Sequence, residues 1–202
     1  MQKHIRLFIF VVLSLNFSFT AARAAVSPIS VAILPPVQFP PGDFSVTGIR
    51  ASALWGKHRD LYGLDFGLLG NITEQSFTGL SASGIFNNTR GVTNILGLQF
   101  AGATNINTNK VSVYGLQATL GVNYNSAAST VTGVQLALLA NVSAFTEIYG
   151  LQVGLYNRAK DVYGFQIGLV NVADNLHGVQ IGLVNFNHKG PFAISPILNI
   201  GF

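Results

Sequence analysis

The stretch GLQVGL at residues 150–155 returns with little change as GFQIGL at 164–169 and GVQIGL at 178–183. Each copy consists of a glycine, an apolar, a polar, an apolar, a small and an apolar residue. Apolar and polar positions therefore alternate with a period of two, which predicts a β-strand with one apolar face. Less regular copies precede these three, beginning at Gly48, Gly63, Gly79, Gly97, Gly115 and Gly133.

The nine units share one central polar position, and successive positions are 14 to 18 residues apart. Asn, Asp, Ser, Thr, Gly and Lys fill the segments between the units, as is typical of turns. A final apolar segment, Phe192 to Phe202, predicts one more strand, so we expect about ten strands. The central polar residues are Arg50, Asp65, Ser81, Gln99, Gln117, Gln135, Gln152, Gln166 and Gln180.

Residues 1–25 predict a cleaved secretory signal peptide. Lys3 and Arg6 precede the apolar run LFIFVVLSL, and Ala22-Arg23-Ala24 supplies small residues for cleavage. A proline-rich lead-in segment is expected at 26–43 and one repeat domain at 44–202. Without the leader, eight Lys and Arg remain against seven Asp and Glu, so the composition gives no reason to expect nucleic-acid binding.

The composition also limits the fold. Only 9% of the residues are charged, against about 25% in an ordinary soluble domain. There is no cysteine, and no apolar run after the leader is long enough for a membrane-spanning helix. We expect an all-β fold whose apolar face meets lipid, an antiparallel up-and-down transmembrane β-barrel of about ten strands. A β-solenoid, in which the units stack in parallel, is the alternative.

Four features favour the barrel. The polar face consists mainly of Gly, Gln and Ala rather than Lys or Glu, as expected of a sheltered lumen. The unit is nearly palindromic about its glutamine, so a hairpin centred on Ala159 would pair Gln152 with Gln166. Basic residues concentrate in every second turn and acidic residues in the others, which would place them at opposite ends of a barrel. The chain ends on Phe202 after alternating apolar residues, a pattern typical of outer-membrane barrel strands.

The nine central polar residues would line the barrel lumen. Arg50 and Asp65 are its only charged members, and a hairpin between them would bring them together. The pair would then either constrict a narrow pore or neutralise itself inside a closed lumen. The histidines after the leader lie at or near turns, and the sequence contains no motif of a hydrolase, a phosphate-binding loop or a metal site. We therefore expect no catalytic residues, no metal and no cofactor.

The block from Ser45 to Phe186, with its repeated G-Φ-Q-Φ-G-L-Φ-N pattern (Φ, apolar), resembles a family of bacterial surface-repeat proteins. The resemblance covers most of the chain after the leader. It implies export and a place at the surface of the cell envelope, and it implies no chemical activity.

Each of the two folds leads to its own functional hypothesis. A barrel would be an outer-membrane surface protein with a structural or narrow-pore, porin-like role. Its partners would be outer-membrane lipid and, at the basic turns, anionic lipid head groups. A solenoid would be a secreted repeat protein that acts as an adhesin or surface-binding module. Either protein is expected at the outer membrane or cell surface. A third hypothesis, an envelope lipid hydrolase, is disfavoured because the sequence pairs no nucleophile with a base.

Overall fold

The computed structural model describes residues 25–91 and 93–202, so residues 1–24 of the predicted leader lie outside the described part of the chain. The described residues contain no helical segment with the length and hydropathy needed to span a bilayer. They form strands joined by short turns: β1 (Val26–Leu34), β2 (Val37–Phe39), β3 (Ser45–Ser52), β4 (Trp55–His58), β5 (Asp60–Gly67), β6 (Gly70–Thr73), β7 (Phe77–Ser83), β8 (Phe86–Thr89), β9 (Thr93–Ala101), β10 (Thr104–Asn107), β11 (Val111–Thr119), β12 (Val122–Asn125), β13 (Thr130–Ala137), β14 (Ala140–Val153), β15 (Tyr156–Ile167), β16 (Val170–Asn187) and β17 (Ile194–Gly201).

Consecutive units stack in parallel and in register, and they form a β-solenoid of about nine turns. Each coil of the solenoid contains a longer strand with the glycine-glutamine unit and a shorter strand that follows it. The longer strands form sheet A, which runs from β1 through β3, β5, β7, β9, β11 and β13 into the later parts of β14, β15 and β16. The shorter strands form sheet B, which runs from β4 through β6, β8, β10 and β12 into the first parts of β14, β15 and β16.

The antiparallel barrel predicted from the sequence is wrong. Gln117 lies beside Gln135, and the residues that follow keep the same order, so that Ala118 faces Leu136. A unit that is symmetric about its glutamine pairs glutamine with glutamine in either orientation, so the repeat alone does not distinguish the two folds. The transmembrane, pore-forming and porin-like hypotheses are wrong for the same reason, because a solenoid encloses no lumen.

The predicted separation of basic and acidic turns is also wrong. These turns all lie along one edge of the solenoid, where each coil passes from sheet B to the next strand of sheet A. Lys57 Nζ lies 2.9 Å from Glu74 Oε1, and Arg158 Nη2 lies 2.8 Å from Asp174 Oδ1. In stacked coils, charges that alternate from turn to turn become neighbours of opposite sign, which accounts for the alternation seen in the sequence.

The interior contains at least four columns of inward-facing side chains, one of which runs through Thr89, Asn107 and Asn125 of sheet B. An aliphatic column lies nearest the charged turns and is buried. The nine central polar residues form the second column, and asparagines of sheet B form the third. The aliphatic column includes one aromatic residue, Phe77, and its other members are Val46, Leu61, Ile95, Val113, Val131, Ile148, Val162 and Leu176.

A column of glycines allows the strands of sheet A to stack closely. Gly115 has a φ of +140°, which favours glycine, and a Cβ atom at this position would overlap the carbonyl oxygen of Gly97 in the preceding coil. The same relation recurs along the column, so the first residue of each unit cannot carry a side chain. The glycines with positive φ are Gly63, Gly79, Gly97, Gly115, Gly133, Gly150, Gly164 and Gly178.

The two ends of the solenoid depart from the repeat. The lead-in segment supplies β1, which pairs in parallel with β3, and β2, which pairs antiparallel with β1. The final predicted strand is β17, and it pairs antiparallel with β16. Atypical terminal units of this kind cap the stack of a repeat protein.

We expect Gly115→Ala to destabilise the protein by about 3 kcal/mol or more, because alanine would have to adopt a positive φ against the Gly97 backbone. Thermal unfolding followed by far-ultraviolet circular dichroism measures the loss. The control is Thr132→Ala on the outward face of the next strand, with an expected cost below about 1 kcal/mol. Equal stability of the two variants would contradict the packing of the glycine column.

Candidate binding surface

The glutamines of the central polar column form a ladder of side-chain hydrogen bonds. Each Nε2 donates to the Oε1 of the glutamine one coil earlier, at distances of 2.7–2.9 Å. All of these side chains are buried. A buried amide without a partner is costly, and the ladder gives the amides of Gln117, Gln135, Gln152 and Gln166 a donor and an acceptor in the neighbouring coils. The ladder runs from Gln180 through Gln166, Gln152, Gln135 and Gln117 to Gln99.

A second ladder, which was not predicted from the sequence, consists of asparagines on sheet B. Asn123 donates from Nδ2 to Oδ1 of Asn141 at 2.8 Å and to the carbonyl oxygen of Leu136 at 2.9 Å. It donates toward the later coil, whereas the glutamines donate toward the earlier one, so the amide dipoles of the two ladders oppose each other. The signal in the sequence is an asparagine five or six residues after each central polar residue from Asp65 onward: Asn71, Asn87, Asn105, Asn123, Asn141, Asn157, Asn171 and Asn185.

Arg50 and Asp65 form a buried ion pair at the start of the central polar column. Nε and Nη2 of Arg50 donate to the two carboxylate oxygens of Asp65 at 2.7 and 2.6 Å, and its Nη1 donates to the carbonyl oxygen of Ile72 at 3.0 Å. Ser81 donates to the same carboxylate from the next coil. The two residues meet, as predicted, but as in-register neighbours of the parallel strands β3 and β5 rather than across a hairpin. Their geometry is that of a pair whose charges and hydrogen bonds are satisfied internally.

His58 lies beside this pair and is also buried. Its Nδ1 lies 3.4 Å from Nη1 of Arg50, and its Nε2 lies 3.2 Å from Oγ of Ser30. Burial, together with the positive charge of Arg50, lowers the pKa of His58 to about 4. The imidazole is therefore neutral at neutral pH and adds no second cation beside Arg50. In residues 25–91 and 93–202, no three His, Asp or Glu side chains are grouped so that they could hold a metal ion.

The nine predicted site residues thus share one column, but a ligand in solution has no access to them because all nine are buried. The accessible groups lie on the opposite side of each strand. Inward positions of the unit hold glycine and amides, so its Leu, Ile, Val and Phe side chains point outward. This arrangement reverses the usual placement of apolar residues inside and polar residues outside.

We define the apolar surface as the two adjacent outward columns of sheet A that flank the glutamine column. Its side chains are partly to largely exposed, with Phe165 51% and Leu64 41% accessible. The first column contains Ile49, Leu64, Leu80, Leu98, Leu116, Val134, Leu151, Phe165 and Val179. The second contains Ala51, Phe66, Ala82, Phe100, Ala118, Leu136, Val153, Ile167 and Ile181.

A third outward column of sheet A, rich in aromatic residues, borders the apolar surface. The rings of Tyr149, Tyr163 and His177 stack in consecutive coils, with centroids 4.7 and 4.6 Å apart. Tyr62 and Tyr114 occupy the same column in earlier coils, where Thr and Leu take the remaining positions. Amphipathic side chains therefore separate the apolar surface from the charged turns.

Charged side chains lie beyond this aromatic column. Within residues 25–91 and 93–202, all charged residues except Asp43 and the buried Arg50 and Asp65 lie at or beside the edge that joins sheet B to sheet A. We call this the charged edge. Its members are Lys57, Arg59, Asp60, Glu74, Arg90, Lys110, Glu147, Arg158, Lys160, Asp161, Asp174 and Lys189.

The apolar surface is large for an exposed patch. Nine strands spaced by about 4.8 Å, with two columns that together span about 13 Å along each strand, give an uncharged area of roughly 560 Å². Contiguous apolar patches on monomeric soluble proteins rarely exceed a few hundred Å², and larger ones mark sites of interaction. The geometry therefore identifies sheet A as the candidate binding surface.

Comparison of the chain with known protein families, with curated proteins and with solved structures finds no match. The resemblance to bacterial surface-repeat proteins stays a prediction.

We expect Gln135→Leu to lower the free energy of unfolding by about 2–5 kcal/mol, because it leaves Oε1 of Gln117 and Nε2 of Gln152 buried without their partners. The matched control is the reverse exchange at the next residue, Leu136→Gln, on the outward face. It is expected to cost less than about 1 kcal/mol. Urea denaturation measures both variants. A larger loss for Leu136→Gln than for Gln135→Leu would show that the glutamine column does not form the interior.

Proposed function

We propose that this chain is a non-catalytic surface-binding module, a rigid β-solenoid that attaches to another surface through the apolar surface of sheet A. The observation that carries the proposal is the continuity of that surface, with no charged side chain in either of its columns across nine strands. This role is the one expected of the solenoid alternative, a secreted repeat protein that acts as an adhesin or surface-binding module.

The solenoid supports this role because it fixes the outward side chains before any partner arrives. Backbone hydrogen bonds join every coil to the next, and two amide ladders add to them, from Asn71 onward on sheet B and from Gln99 onward on sheet A. The repeated register places equivalent side chains one strand spacing apart along the whole surface. A preformed surface loses little conformational entropy on binding, so more of the interaction free energy appears as affinity.

Export and lack of catalysis belong to the same proposal. The basic, apolar and small-residue segments of residues 1–25 support transport out of the cytoplasm, and the repeat supports a place at the cell surface. The polar side chains of the central column are buried and hydrogen-bonded to one another. They stabilise the scaffold, and the exposed apolar side chains bind.

We expect the double variant Leu98→Glu/Phe165→Glu to release the exported protein from the cell surface into the medium. Both side chains lie in the first column of the apolar surface, and a carboxylate there would lose its hydration on contact with an apolar partner. The measurement is the fraction of protein that remains with washed cells after expression of the full chain in a bacterial host.

The control places the same two charges at the charged edge, as Thr108→Glu/Ala128→Glu. Both control positions are exposed and lie in turns that lead from sheet B to sheet A. The control is expected to stay with the cells like the unaltered protein. Release of both variants to the same extent, or of neither, would contradict the proposal.

A further inference from the structure

The apolar character of the molecule continues past sheet A around the turn that leads to sheet B. We call this turn the leucine edge. Leu68, Leu138 and Leu183 are 70%, 61% and 65% exposed there, which is more than most side chains of the apolar surface. The members of the leucine edge are Leu68, Leu69, Ile85, Leu120, Leu138, Leu139, Leu155, Leu169 and Leu183.

The first outward column of sheet B extends the same character to the other side of the leucine edge. Phe86, Val122, Tyr156 and Val170 occupy this column in coils along the length of the solenoid, together with Gly, Thr and Ala. No charged residue of the described chain lies in it. An uncharged apolar band therefore covers three sides of the solenoid: sheet A, the leucine edge and the adjoining part of sheet B.

The side chains change in a regular order around each coil. Leucine and other aliphatic residues lie at the leucine edge, tyrosine and threonine lie farther along sheet A, and Lys, Arg, Asp and Glu lie at the charged edge. Tyr163, for example, lies between the exposed Phe165 and the charged Asp161. The order from aliphatic through tyrosine to charged matches the polarity profile across one leaflet of a bilayer, from acyl chains through the interface to water.

The shape of the band decides between two possible occupants. A second copy packed face to face would cover one flat sheet and leave the leucine edge in water. The band has polar borders along both of its long sides, at the tyrosine column of sheet A and at Lys57 and Arg158 of sheet B, and it bends around the leucine edge between them. The leucine edge is convex and has apolar flanks on both sides, so only a partner that surrounds the edge would cover the whole band.

Given the surface-binding role proposed above, we infer that the partner is a lipid bilayer, into which the leucine edge inserts while the solenoid axis lies parallel to the membrane plane. The inserted residues would reach the boundary between head groups and acyl chains, a depth of about 5–10 Å for interfacial amphipathic elements. The charged edge stays in water. Because the band contains no cation, binding requires no anionic lipid.

The first test is flotation of the exported protein with vesicles of phosphatidylcholine alone. We expect the protein to float with the vesicles, and to do so at high as well as low salt concentration. Leu138→Glu/Leu169→Glu is expected to lower the partition coefficient roughly a hundredfold or more, because two carboxylates replace inserted leucines. Thr108→Glu/Ala128→Glu at the charged edge is the control and is expected to bind like the unaltered protein. Thermal unfolding of both variants verifies that they are folded.

The second test uses the only tryptophan of the chain, Trp55, as a reporter of depth. Trp55 pairs with Gly70, and Gly70 pairs with Phe86, so the indole lies in the apolar column of sheet B beside the leucine edge. We expect phosphatidylcholine brominated on its acyl chains to quench Trp55 fluorescence in the unaltered protein. Leu138→Glu/Leu169→Glu is expected to lose this quenching, and the charged-edge control to keep it.

Three outcomes would overturn the inference. One is failure of the unaltered protein to float with phosphatidylcholine, including the case in which it sediments as a dimer instead. Another is flotation only with anionic vesicles at low salt, and the third is flotation without quenching of Trp55. If vesicle binding fails while Leu98→Glu/Phe165→Glu still releases the protein from cells, the surface-binding function stands and its partner is not lipid.

Discussion

The hydrogen bond from one glutamine amide to the amide of the preceding coil is the interaction on which the rest of this structure depends. It forms only if each coil returns a glutamine to the same place, one strand spacing from the last. The solenoid meets that requirement with parallel strands in register and with coils that all close at the same point. The asparagine ladder imposes the same condition on sheet B, and the glycine column allows the backbones to approach closely enough to meet it.

The polar side chains of the interior determine which side chains of each strand face outward. A strand has two faces, so a polar inward face leaves the aliphatic residues of the same alternating pattern on the outside. An ordinary domain buries its aliphatic residues and gains stability from removing them from water. Here a slim aliphatic column and the amide ladders form the interior, and a large apolar area stays exposed. An exposed area of this kind is costly in water, which is the physical reason to expect that it is covered when the protein functions.

Much of the fold could be predicted from the sequence. The strands, the repeat and the shared column of Arg50, Asp65 and the glutamines follow from alternation and spacing, and the contact between Arg50 and Asp65 is found. The orientation of the strands could not be predicted, because a unit symmetric about its glutamine pairs equally well in both directions. The alternating charges of the turns also fit both folds. They were predicted to lie at opposite ends of a barrel, but Lys57 and Glu74 form an ion pair between adjacent coils of the solenoid.

The candidate site was the least predictable part. The pattern of the sequence predicts a glutamine face that lines a lumen and an aliphatic face that meets lipid all around a closed barrel. Parallel stacking makes the glutamine face the interior, and it leaves the apolar exterior on sheet A, the leucine edge and the adjoining part of sheet B. The asparagine that recurs after each unit is the signal for sheet B in the sequence. The alternation within the unit does not reveal sheet B, because the asparagine lies beyond the turn that ends the unit.

The most direct test of a parallel solenoid is disulfide formation between introduced cysteines, since the chain contains no cysteine of its own. Parallel, in-register stacking places Tyr149 beside Tyr163, whereas a hairpin centred on Ala159 would place Tyr149 beside Leu169. We predict rapid oxidation of the Tyr149→Cys/Tyr163→Cys pair and little oxidation of the Tyr149→Cys/Leu169→Cys pair. The opposite result would contradict the parallel register, and with it the buried ladders and the apolar surface.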